Sequence, residues 1–505
     1  MKKLLMLSIG LLSTSYILAQ DMTDALRYSM DEIQGTARFR AMGGAFGALG
    51  GDMSSVSINP AGSAIFNHGH ASISLGVFNT NNDISYFNDT NTTSDSSIDL
   101  NQLGAAFVFK NMNESSGWKK FSLSFAYDRS ANFDNEWVAN GVNSDNTIGS
   151  YFVQYANGLP LEDISALDGE SITQAYSEIG SIFGYQNQQA FLGYTGYIID
   201  PVEDNTSDNY VSNITGGDYS QRYAYTSRGY NGKMAFNFAT SYNDKLYLGL
   251  NLNSHLINFE RSTYLNERNS NTDSNISAVD FENNLLTTGS GFSFQLGGIA
   301  KITNELRVGL SYASPTWYRI SDETSQYLAS SRKDNGSNIT QIVNPNVVNI
   351  YEEYKLKTPS KLTGSLAYVF GLNGLLSFDY AVKDYSKTEF KPSTDAIFSN
   401  LNTTISNDLD TAVSYRLGGE YRFNRLSFRG GYRFEESPYK NDNFYGDLNG
   451  YSLGLGYNFG SLSLDLAFSQ SQRDYNYQLY SVGLTDAAQI ESKNTDLILT
   501  LAFDL

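Results

Sequence analysis

Leu246-Tyr-Leu-Gly-Leu-Asn-Leu-Asn253 decides the fold. Leucine stands at every second position, with Tyr247, Gly249, Asn251 and Asn253 between. Successive side chains of a strand point to opposite faces, so one face here is hydrocarbon and the other small or amide. The pattern recurs where Tyr451, Leu453, Leu455, Tyr457 and Phe459 alternate with Ser452, Gly454, Gly456 and Asn458, and again from Leu462 to Phe468. From residue 70 onward fourteen such segments follow one another, near 70–87, 98–111, 119–130, 230–242, 245–262, 288–302, 305–320, 358–370, 373–389, 411–423, 426–436, 449–459, 461–475 and 492–505. Fourteen is even, as a single-chain bacterial membrane barrel requires.

The links between segments give an independent test. Short ones (Asn111 to Trp118, Asn243–Asp244, Thr303–Asn304, Gly371 to Gly374, Asn424–Arg425 and Gly460) each follow an even-numbered segment, and long ones each follow an odd-numbered one. Membrane barrels sort their turns in this way, short on the periplasmic side and long outside, whereas a soluble β-sandwich has no reason to. Both termini then lie in the periplasm. Composition agrees: 36 Tyr, 30 Phe and 44 Gly stand against 8 Pro. The expected fold is an all-β, 14-stranded antiparallel transmembrane β-barrel.

Lys2 and Lys3, the apolar run from Leu4 to Leu18 and the small Ala19 read as a signal peptide over residues 1–19. Without Lys2 and Lys3, 32 basic residues face 53 acidic ones, a net charge near −21 that argues against a nucleic-acid partner. The absence of Cys excludes disulfides, thiol catalysis and thiolate metal sites.

Residues 20–69 do not alternate. They are rich in Gly and small residues, notably Ala41 to Asp52 with Gly43 and Gly44, then Ser57-Ile-Asn-Pro-Ala-Gly62. Such composition calls for tight turns and close backbone approach. Fifty residues are about enough to fill a lumen this wide, which would otherwise hold water. The expected organisation is therefore a signal peptide (1–19), an N-terminal hatch (20–69) and a barrel (70–505) whose largest external loop spans 131–229.

The run from Ala41 to Phe66, with Asn59, Pro60 and Ala61, resembles the hatch of the FadL/TodX family of outer-membrane transporters for fatty acids and aromatic hydrocarbons. Weaker likeness follows at Gly309 to Ser314 and Tyr415 to Pro438. The resemblance implies a plugged barrel in the cell outer membrane that captures hydrophobic small molecules outside and moves them past the hatch. It also implies a side exit at an interrupted third strand, and Arg129-Ser-Ala-Asn132 breaks the alternation there.

Several residues are candidates for function. Arg416, Glu420 and Arg422 share one face of strand ten, and Arg429 and Arg433 one face of strand eleven. Folding about Asn424–Arg425 sets Glu420 opposite Arg429 and Arg416 opposite Arg433. The first pair is neutral; the second is like-charged and needs an anion, either a fatty-acid carboxylate or a hatch acid such as Asp52. His255 lies on the lumen face of its strand, with no Ser or Asp partner that would make a triad. His68 and His70 are open to two readings, a haem contact or polar residues of the periplasmic junction. In the long loop Ile172, Tyr176, Ile179 and Phe183 form an apolar helical stripe, either a landing surface for ligand or a cap on the barrel mouth.

The function expected is passive uptake of hydrophobic compounds, long-chain fatty acids first, by a monomer in the outer-membrane bilayer. No enzyme activity, cofactor or metal site is expected. The alternatives are a haem or aromatic-hydrocarbon receptor and a structural or adhesive barrel.

Overall fold

The computed structural model describes residues 21–113, 115–203, 208–334 and 337–504. The signal peptide lies outside the described residues.

Fourteen antiparallel strands close on themselves. They are β1 (His70–Tyr86), β2 (Asp89–Lys110), β3 (Trp118–Asn132), β4 (Tyr219–Tyr242), β5 (Leu246–Arg268) and β6 (Ile276–Lys301). Next come β7 (Leu306–Ala313, resumed as Trp317–Asp334), β8 (Lys361–Phe370, approached through Ser337–Val343 and Tyr354–Lys357) and β9 (Gly374–Asp384). Strands β10 (Thr411–Phe423), β11 (Leu426–Glu435), β12 (Leu448–Asn458), β13 (Leu462–Gln478) and β14 (Ala487–Asp504) complete the wall. Pairing of β1 with β14, from His70↔Asp504 to Ser85↔Gln489, removes both edges. The tight turns follow from local chemistry: Asn243 and Asp244 both take positive φ, as a two-residue hairpin matched to strand twist needs.

The alternation orients the wall. Leu246, Leu248 and Leu252 are exposed outward, as are Tyr415, Leu417, Tyr421 and Phe423, while Asn251, Asn253 and Arg416 are buried inside. Outward residues meet lipid, and polar residues meet what fills the lumen.

The strands run further than the alternation indicates. β2 begins at Asp89, β5 reaches Arg268, β6 begins at Ile276 and β7 continues to Asp334. The stretches 88–97, 263–287 and 321–334, which lie between the alternating segments, are thus largely strand. Beyond the hydrocarbon the outer face meets water instead of lipid, and the inner face, covered by the external cap, mixes Leu265 and Phe281 with the buried Thr263 and Glu267, so polarity there does not alternate. Likewise the 131–229 loop contains a short strand, Asn135–Asn143, paired with β4, and three helices: α3 (Ile148–Ala156), α4 (Ile172–Phe183) and α5 (Tyr185–Thr195).

One seam is incomplete. Pairing between β2 and β3 stops at Gln102↔Asp128, while β3 continues along β4 with a register shift between Arg129 and Ala131. This shift falls within the Arg129–Asn132 break in alternation.

Candidate functional site

The N-terminal segment occupies the lumen. Short helices α1 (Met22–Ser29) and α2 (Ala37–Ala41) and 3-10 turns at Met53–Ser57 and Pro60–Ile65 carry mostly buried residues. Asn59, Pro60 and Ala61 start the last of these turns. The Asn59 side chain caps it, accepting from Ala61 N at 3.1 Å, and Pro60 stands at the first turn position, where no backbone donor is needed. The Asn59 amide also donates to Gly47 O (2.7 Å) and to Gly298 O on β6 (3.0 Å). Gly43 and Gly44 both have positive φ, and Gly43 N donates to Ser452 Oγ on β12 at 3.2 Å.

The wall is cut to receive this segment. A Cβ on Gly249 would strike Pro60, one on Gly297 would strike Asn59, one on Gly418 would strike Met42 and one on Gly431 would strike Gly43. Wall side chains satisfy backbone groups that the irregular segment cannot pair for itself. Asp379 on β9 accepts from Phe46 N and Gly47 N at 3.0 Å, Asn251 donates to Val56 O at 2.8 Å, and Thr500 accepts from Ala37 N at 2.7 Å. Arg38 bonds Glu420 at 2.8 Å, and Glu420 also bonds Arg429, which bonds Asp465. Removing one member of such a buried network costs about 3–5 kcal/mol, because its partner is left charged and unpaired.

A cavity of about 1170 Å³ opens beyond this packed half. Asp31, Ile33 and Arg40 belong to its floor, and Tyr151, Tyr155 and Tyr185 of α3 and α5 to its roof. Burial holds the Tyr151 and Tyr185 phenols well above the ordinary tyrosine range, so they are neutral hydroxyls.

Arg416 and Arg433 both line the cavity and are register partners, Arg416↔Arg433, just as Glu420↔Arg429 is. Arg416 is 6 % exposed, its Nε has no hydrogen-bond partner and it makes no ion pair among the described residues. Arg433 has a carboxylate only at 3.8 Å, from Glu435. Asp52 is engaged elsewhere, accepting from Thr36 Oγ1 at 2.8 Å, and does not neutralise the pair. Two like-charged guanidiniums therefore face a space in which a bound anion would convert their repulsion into charge-assisted hydrogen bonds.

The family model for outer membrane protein transport proteins (OMPP1/FadL/TodX) matches residues 200–503. The chain belongs to this family. No curated protein matches it. Among solved structures, a Pseudomonas aeruginosa FadL homologue is similar at 12% identity and TM-score 0.55, over 94% of this chain and 99% of that one. The P. putida toluene transporter TodX is similar at 13% identity and TM-score 0.51, over 94% and 99%. At such identities the likeness is one of fold. The chain is thus an outer-membrane barrel of the FadL/TodX family, whose members are channels for hydrophobic compounds.

Other candidate residues of this family barrel lie apart from the cavity. His255 does face inward and is buried, but its Nε2 sits 2.9 Å from Ser293 Oγ, its ring stands edge-on to Tyr318, and it is not part of the cavity lining. His70 stacks on Phe66 and reaches Asp504, and His68 is exposed. Among the described residues no cluster of three metal-binding side chains occurs.

The α4 stripe, open to two readings, packs inward. Tyr176 and Ile179 are buried in the core of the external cap, with Ile172 and Phe183 packed partly buried against it. Tyr176 Oη donates to Gln326 Oε1 on β7 at 2.8 Å. These four side chains thus contribute to the packing of the cap. Hydrocarbon on a helix ten or so residues long is covered by whatever wall lies nearest, here strands extended beyond the membrane.

The cavity's own aromatic lining escaped the sequence reading. Tyr223 and Tyr225 share a face of β4, Tyr475 and Tyr477 a face of β13, and alternation could have grouped each pair. What could not be read is that these two faces meet across the lumen, where Tyr225 and Tyr477 both pack on Trp137.

Proposed function

We propose that this barrel takes up hydrophobic acids passively, long-chain fatty acids among them, holding the acid group between Arg416 and Arg433. The observation that carries the reading is that arginine pair on the wall of a large and largely apolar cavity, Arg416 buried without an ion pair among the described residues and Arg433 half-buried with only Glu435 at 3.8 Å. We assign residues 1–19 to a signal peptide and 20–69 to a hatch that closes the lumen of the 70–505 barrel. Gly43, Gly44, Asn59, Pro60 and Ala61 shape that hatch, and the incomplete seam between β2 and β3 is the exit we assign to the ligand. The protein acts as a monomer, without catalysis.

The test is entry of a fluorescent long-chain fatty acid into cells carrying or lacking the gene. Faster entry in carriers, reduced by Arg416→Gln with Arg433→Gln, is expected. Equal entry with and without the gene would overturn the reading.

A further inference from the structure

The cavity lining is not built for an alkyl chain alone. Seventeen aromatic side chains, twelve of them tyrosines, line it against nine of leucine, isoleucine, valine and methionine. An alkyl chain is served equally well by aliphatic walls, and gains nothing from phenol hydroxyls. Ring faces and edges add attraction for another ring beyond the area they bury. The volume of about 1170 Å³ also exceeds the range of roughly 300–1,000 Å³ usual for pockets that enclose one drug-sized molecule.

Unpaired donors point the same way. At the aromatic end the buried Tyr480 hydroxyl has no hydrogen-bond partner, and the half-buried Arg261 lines the same cavity. A saturated tail would leave the Tyr480 hydroxyl unpartnered and would give the Arg261 guanidinium nothing in place of water. An aromatic ring offers Arg261 a π face, and a ring oxygen offers Tyr480 an acceptor. At the other end Arg416 makes no ion pair among the described residues, and its register partner Arg433 has only the Glu435 carboxylate at 3.8 Å, so the two offer a place to an acid. The tyrosine wall itself is ordered: Trp137 stacks on Tyr225 with ring centroids 5.0 Å apart and planes within 6°, and Tyr477 meets Trp137 edge-on at 4.9 Å.

We propose that the ligand class this cavity prefers is a bulky organic anion built on an aromatic or fused-ring body, its carboxylate on Arg416 and Arg433 and its rings against the wall of Trp137, Tyr225 and Tyr477. The inference rests on the uptake reading of the same cavity and narrows its substrate.

The test uses the full chain in lipid nanodiscs, with empty nanodiscs as the reference for partitioning into lipid. The probes are 4-(1-pyrenyl)butyrate, the matching alcohol 4-(1-pyrenyl)butanol, and palmitate. Pyrenylbutyrate binds at least about tenfold tighter than palmitate and than its own alcohol. Tyr225→Leu with Tyr477→Leu weakens pyrenylbutyrate about tenfold and leaves palmitate within about twofold, whereas Tyr225→Phe with Tyr477→Phe, which keeps both rings, retains pyrenylbutyrate binding. Palmitate binding as tightly as pyrenylbutyrate overturns the inference and leaves the uptake reading standing. So does equal loss of both ligands in the leucine variant while the phenylalanine variant is unaffected. Binding of neither acid, together with unchanged fatty-acid entry into cells, overturns both.

Discussion

The two halves of the lumen are built on opposite rules. Toward the periplasm the wall offers glycines and paired hydrogen-bonding side chains, and the N-terminal segment lies so close that Gly418 and Gly431 have no room for a Cβ. Toward the outside the wall offers tyrosines and guanidiniums, with empty space before them. Matter that must stay put is held by many small, mutually satisfied contacts. Matter that must come and go is met by groups left unsatisfied until it arrives. On the function proposed above, closing and capturing are separated along the barrel axis and can be broken separately.

The largest effect is expected from removing the lower half's contents. Deletion of residues 20–66 leaves the fourteen strands and their seam intact, and single-channel recording will show a closed pore become an open aqueous one. Conductance no greater than that of the intact chain would mean that the loops, and not this segment, close the lumen.

Filling the seat without deleting its occupant is the next test. Gly418→Leu with Gly431→Leu intrudes on Met42 and Gly43, and overpacking costs about 1–3 kcal/mol at each site. Limited proteolysis should then cut the N-terminal segment in the assembled barrel. Gly430→Leu, beside Gly431 on β11, where a Cβ meets nothing nearer than 3.9 Å, changes stability by less than about 0.5 kcal/mol. Equal sensitivity of the inward and outward variants would remove the distinction between seat and surface.

In the upper half, Arg416→Gln with Arg433→Gln removes charge-assisted bonds worth about 1.5–3 kcal/mol, or roughly tenfold to a hundredfold in affinity for a fatty acid. Titration with the uncharged alcohol should show little change. Parallel losses for acid and alcohol would make the pair structural.

The smallest effect belongs to the cap. Ile172→Ala removes a half-buried side chain at a cost of about 1 kcal/mol, seen as faster hydrogen exchange in α4 with ligand affinity unaltered. A tenfold fall in affinity would instead bring the stripe into contact with ligand.

What could be read from the sequence follows the environment of each segment. Where a strand divides lipid from lumen, polarity alternates, so the strand count and the Arg416↔Arg433 register were legible. Where the same strand rises into water, at Asp89–Ser97 or Ser262–Arg268, the alternation fades and the strand reads as loop. The glycine-rich segment announced close approach without saying against what. Asp379 reads as one carboxylate among 53 acidic residues, and only the fold sets it beneath Phe46 and Gly47. The aromatic cavity was least legible, since its walls come from β4, β13 and the external helices, far apart in the chain.

The pairing of β1 with β14 constrains how the molecule is made. Its hydrogen bonds join residues as far apart as His70 and Asp504, 434 positions in sequence. The lumen-filling segment precedes β1, yet its partners extend to Thr500. It therefore reaches the periplasm first and completes its contacts last, when loop-closure entropy over the whole chain has been overcome. A filler without a sheet of its own cannot be threaded into a finished cylinder whose wall fits it at the scale of a missing methyl group. The cylinder has to be wrapped around it, so the sealing of one seam is the event that both ends assembly and traps the contents.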